Sequence, residues 1–186
     1  MKRVFPLLLS LVFLCGCGSG QQALDAGHQL RSDIIQADGC SFVAEITADY
    51  GDELYSFSMQ CDFDKDGTLV FCVLSPESIS SITGKIDAGE GVLTFDDQML
   101  AFSMLADGQI TPVSAPWVML KAVRCGYISA CTAEKSGYYL QIDDSYIQDP
   151  LTVDLWIEPD GNISRGEFLW EGRRILTVQV SEFKLL

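Results

Sequence analysis

Five groups of residues have the types and spacing to do chemistry. Asp62-Phe63-Asp64-Lys65-Asp66-Gly67 matches the first half of a calcium loop, with acids at positions 1, 3 and 5 and glycine at 6. Position 12, however, is Val73 where a bidentate glutamate is needed, and the flanking residues alternate as strands. An Asp-Gly hairpin turn is the better reading, and no metal or cofactor is expected. The single histidine, His28, could serve a cysteine nucleophile only by meeting Cys40, so a surface role is expected. Carboxylates are abundant, with Asp96-Asp97, Asp143-Asp144, Glu45, Asp154 and Glu167 the candidates for paired acid–base work in a small hydrolase. Their density in an acidic chain arises without catalysis, and no nucleophile elbow, phosphate loop or zincin motif is present, so no catalytic residue is assigned. Five cysteines, at 40, 61, 72, 125 and 131, follow residue 17. No Cys-x-x-Cys occurs among them, which weakens redox and zinc-ribbon readings; disulfides and small buried hydrophobes stay open. Last come aromatic and methionine residues spaced to face one interior, of which Phe57, Phe71, Phe102, Trp117, Met119, Leu120 and Trp170 are the candidate lining of an apolar ligand cavity.

The N-terminus is organised as an address. Lys2 and Arg3 precede an apolar run over 4–14 that is too short for a transmembrane helix of ~20 residues. The run ends in Leu14-Cys15-Gly16-Cys17, which resembles the bacterial lipobox. That resemblance implies a signal peptide over 1–16, a diacylglycerol on the Cys17 thiol, and a protein anchored outside the cytoplasm. Residues 17–22 read as the lipidated cysteine and a flexible polar tether. Loss of Lys2 and Arg3 leaves 26 acids against 10 bases. Such a body is repelled by anionic headgroups, so the anchor must do the holding. The same charge excludes a nucleic-acid partner.

The elements that must position these residues follow from periodicity. A modest apolar stripe of Leu24, Leu30, Ile34 and Ile35 predicts a helix over 23–37. From Phe42 onward the period becomes two, and eleven short strands are expected at 42–49, 55–63, 68–74, 80–86, 92–96, 98–105, 128–134, 138–143, 151–158, 163–171 and 175–183. Between the sixth and seventh, Ser114-Ala115-Pro116 opens a helix ending near Arg124, with Ser114 a plausible N-cap and Gly126 a C-cap. That helix carries only two charges, Lys121 and Arg124, and so must be largely covered. The expected fold is mainly β with helices (α+β). A strongly curved antiparallel half barrel in meander order holds the apolar helix on its concave face, all within one domain over 23–186.

The order of elements resembles the LolA/LolB-like lipoprotein-carrier superfamily. The closing unit carries the likeness: Leu151-Thr152-Val153-Asp154-Leu155-Trp156-Ile157-Glu158-Pro159-Asp160-Gly161, the strand to Trp170, and Gly172-Arg173-Arg174 leading to Phe183. It is most similar to the Firmicutes lipoproteins of that fold, the spore germination lipoprotein among them. The resemblance implies a non-enzymatic, membrane-anchored protein that binds an acyl chain or lipoprotein. Alternatively, it implies an interaction module supporting a cell-envelope or germination enzyme.

Overall fold

The computed structural model describes residues 18–87, 93–95, 105–146 and 148–186. The strand alternation read from the sequence becomes one antiparallel sheet of ten strands. In chain order these are β1 (Gly39–Asp49), β2 (Leu54–Asp64), β3 (Leu69–Ser75), β4 (Thr83–Ile86), β5 (Leu93–Phe95), β6 (Tyr127–Glu134), β7 (Gly137–Asp143), β8 (Thr152–Ile157), β9 (Ile163–Trp170) and β10 (Arg173–Leu185). Among the described residues two α-helices accompany the sheet, α1 (Gly18–Gln36) and α2 (Ala115–Cys125). On β1, Phe42, Ala44, Ile46 and Ala48 are fully buried while Ser41, Val43, Glu45 and Thr47 face the other way. This is the alternation of a sheet with one face on a core.

The spatial order is β5-β4-β3-β2-β1-β10-β9-β8-β7-β6, so the sheet is curved but unclosed. It is not one meander, as expected from the short turns. It is two, the first running from the middle out to one edge and the second from the other edge back to the middle, where the first and last strands pair from Cys40↔Leu185 to Ala48↔Leu176. The connection carrying α2 separates them, which places β5 and β6 at opposite edges. The strand expected at 98–105 lies outside the described residues except for Leu105, which makes an isolated bridge to Ile110. The strand expected from 80 begins at Thr83, behind a short 3-10 turn over Glu77–Ile79.

Helix α1 starts at Gly18, so the segment read as a flexible tether is helical from there. Its polar residues are no obstacle, because the first turns have tertiary support: Ala23 is fully buried, the Cys131 thiol of β6 donates to the Gly20 carbonyl, and Gln21 bonds Asp25 one turn on. Arg31 then ties α1 to the end of α2 by donating to the Val123 and Gly126 carbonyls at 2.6 and 2.7 Å. These are carbonyls that the helix itself leaves unpaired.

Helix α2 lies on the sheet, with Ala115, Met119, Leu120 and Ala122 fully buried. Its Met119 Sδ stands 2.7 Å from where a β-carbon on Gly166 of β9 would be, so a larger residue there would require Met119 to move. The N-terminal signal is one step earlier than expected. Thr111, not Ser114, forms a capping box, and it serves the 3-10 turn Pro112–Ser114 that leads into α2. Ser114 itself makes no side-chain cap to α2.

Candidate ligand groove

The turn Asp64–Gly67 between β2 and β3 is a tight hairpin. Thr68 N–H donates to Asp64 Oδ1 at 2.9 Å, Gly67 N–H to the Asp64 carbonyl at 3.1 Å, and Gly67 adopts φ of 90°. The half calcium loop is therefore used as a turn, with Asp64 occupied by its own backbone. The turn reaches α2. Trp117 Nε1 donates to the Gly67 carbonyl at 2.9 Å, and Arg124 Nη2 donates to the Lys65 carbonyl at 2.9 Å.

Trp117, Lys121 and Arg124 stand at i, i+4 and i+7 and share one face of α2. The Lys121 ammonium lies 5.8 Å from the Trp117 ring centroid, and the Arg124 guanidinium 5.6 Å from that of Phe63 on β2. Both are cation–π distances. Ile35, in the last turn of α1, faces the same space and is half exposed. Together with Asp66, Gly67 and Cys125 these residues line an open groove of about 430 Å³. That size lies within the range of small-molecule sites, and the combination of aromatic floor and cationic rim suits an amphiphile. Lys121 also pairs with Asp144 at 3.7 Å.

Of the expected cavity-lining residues, Trp117 lines this groove. Phe57, Phe71, Met119 and Leu120 lie in the continuous buried core, and Trp170 is half-buried against it. Phe102 and Cys17 lie outside the described residues. The groove residues the sequence reading left unassigned are Ile35, Phe63, Asp66, Gly67, Lys121, Arg124 and Cys125. The helical spacing of Trp117, Lys121 and Arg124 was a usable signal for the α2 members. None existed for Ile35 or Phe63, which come from α1 and β2.

The remaining candidates are placed as follows. His28 is exposed on α1, and Cys40 is buried on β1. Asp154 and Glu167 are cross-strand partners on β8 and β9. Glu167, buried, is bonded by Arg165 and by Arg174, the latter at 2.9 Å. Asp154 accepts from Tyr139 Oη at 2.9 Å and from Gln141 Nε2 at 3.1 Å. Arg165 stacks on Trp156 at 4.5 Å, and Trp156 packs against Tyr139 at 5.3 Å. Burial foremost, and then the Asp154 carboxylate, pushes the Tyr139 phenol well above its ordinary range. In this polar ladder both carboxylates already have donors, while the buried Arg165 Nε has no partner. All five described cysteines are free thiols. Cys61 faces Phe71 across the β2–β3 ladder while Cys72 faces Gln60, so that pair is out of register.

No protein-family model matches this chain, and no curated protein does. Among solved structures it is similar to a LolA superfamily protein, NE2245, from Nitrosomonas europaea, at 11% identity and a TM-score of 0.41 over 91% of this chain and 94% of that one. It is similar to LprF from Mycobacterium bovis at 10% identity and 0.39, over 89% and 95%. It is also similar to the Pseudomonas aeruginosa MucA/MucB complex structure at 10% identity and 0.40, covering 88% of this chain and 56% of the matched chain. At such identities no residue role passes from those proteins to this one.

Proposed function

We propose that this chain is a non-enzymatic, extracytoplasmic lipoprotein, anchored by a lipid on Cys17, that binds an apolar chain in the groove between α1, α2 and the β2–β3 turn. The observation that carries the reading is that groove: about 430 Å³, floored by Phe63 and Trp117 and left open beside a half-exposed Ile35. The resemblance of the closing strands to lipoprotein carriers agrees with it. Cys17 precedes the first residue of α1, and Ile35 lies near the helix's far end, about 25 Å along the axis at ~1.5 Å per residue. An anchor on Cys17 would leave the groove toward the other end of α1.

The second reading is a protein-interaction module supporting a cell-envelope or spore-germination enzyme. It is favoured by the dense packing beneath α2, where Phe71, Met119 and Leu120 are 0–1% exposed. Titration with the neutral dye Nile red separates the two. Saturable binding at one site per chain, displaced by dodecanol, supports the ligand groove. Absence of binding supports the interaction module.

A further inference from the structure

We infer that the groove selects a single-chain lipid ending in a carboxylate, whose chain lies on Phe63, Trp117 and Ile35 and whose head is held by Lys121 and Arg124. This rests on the groove being an apolar site, and it adds the head-group chemistry. The chain as a whole carries a formal charge of −14, so cations gathered at one apolar opening are the exception on its surface. Lys121 and Arg124 line the groove, and Lys65 adjoins it in the β2–β3 turn.

Two of the nearby acids already have cationic partners. Asp144 takes Lys121 at 3.7 Å, and Asp38 takes Lys65 at 4.0 Å. Asp66, also in the lining, is exposed on the turn. Arg124 donates to a neutral carbonyl, and among the described residues no carboxylate pairs with it. Its guanidinium keeps donors in the fork geometry that fits a carboxylate, and Lys121 has three donors to share. Position in the last turn of α2 explains a positive charge there through the helix dipole. It does not explain why Arg124 reaches across to the Phe63 ring of β2 at the rim of an apolar groove; Lys121 lies over Trp117 by their i, i+4 spacing. A volume near the lower end of the ligand-site range suits one chain.

The test is displacement of Nile red from the full chain carrying Cys17→Ser, using dodecanoate, dodecanol and dodecyltrimethylammonium at pH 8. Dodecanoate is expected to displace the dye at about tenfold lower concentration than dodecanol, and the cationic amphiphile to be weakest. Lys121→Gln with Arg124→Gln should bring dodecanoate and dodecanol to the same inhibition constant, each corrected for that variant's own measured dye affinity. Arg124→Lys should restore part of the preference, and matched melting curves confirm that the variants fold. Equal displacement by the three amphiphiles in the unaltered protein would overturn the head-group inference and leave the apolar groove standing. A protein that binds no Nile red would overturn both.

Discussion

Trp117 on α2 donates its indole N–H to the Gly67 carbonyl at 2.9 Å, across 50 residues of chain, and so pins the helix to the β2–β3 turn. That bond makes the turn one wall of the groove. The same ring is the groove's floor, so Trp117 should be separable from its buried neighbours by experiment. Trp117→Phe should cost about 1 kcal/mol, the worth of one neutral hydrogen bond, and should preserve dye binding. Trp117→Ala should weaken dye binding strongly. Leu120→Ala, in a fully buried position, should cost ~2–5 kcal/mol and leave the groove's affinity unchanged. Denaturant unfolding and dye titration on the three variants check the division. Equal dye loss for Leu120→Ala and Trp117→Ala would refute it.

Two glycines should respond to substitution for different reasons. A β-carbon on Gly126, at the end of α2, would stand 2.5 Å from Ile142 Cγ2 and 2.7 Å from the backbone oxygens of Ala122 and Asp143. Backbone cannot yield cheaply, so Gly126→Ala should destabilise by ~1–3 kcal/mol through overpacking. Gly161, in the β8–β9 turn, has φ of +92° and open space around it. There Gly161→Val should cost ~1 kcal/mol or more through backbone strain alone. Thermal melts read both, and an unchanged melt for either variant would count against the local geometry.

The thiols should react in an order set by burial. Cys125 is exposed and should be alkylated first, whereas Cys40 and Cys61 are buried and should label only on unfolding. Burial, with the nearby Asp62 charge second, lifts the Cys40 thiol from 9.0 to about 12 and Cys61 well above the usual thiol range. Both groups favour the fold while the unfolded chain also keeps its protons. Their contribution is therefore full below pH 9 and is lost as pH rises from 9 toward 12, where unfolding releases protons. Mass spectrometry after timed alkylation, together with unfolding curves between pH 8 and 11, tests this. Early labelling of Cys61 in the folded protein would contradict it.

Anchorage is tested at Cys17. Cys17→Ser should release the protein from membranes or stall its processing, since burial of the lipid, at ~0.8 kcal/mol per CH₂, is the expected attachment. Wholly membrane-bound, normally matured variant protein would refute the lipobox reading.

What the sequence by itself determined was local. Period-two alternation at Phe42–Ala48 and Tyr55–Phe63 placed strands. Asp-Gly pairs at 66–67 and 160–161 placed turns, and the apolar run after Ala115-Pro116 placed a covered helix. These patterns are legible because strand pleat, turn conformation and helix periodicity are each decided by residues a few positions apart. Tertiary structure alone decided the rest. The pairing of β1 with β10 joins residues more than 120 apart, and no alternation pattern says which strand a neighbour will be. The start of α1 at Gly18 depends on support from β6, which polar composition concealed. The groove needed Ile35, Phe63 and Trp117 from three separate elements, and Arg124 acquired its aromatic partner Phe63 only when α2 docked beside β2, whereas Lys121 meets Trp117 through local i, i+4 spacing. The same docking sent Met119 and Leu120 into the packed interior and left Trp117 at its edge. That is a difference of orientation about one helix, and hydrophobicity alone does not encode it.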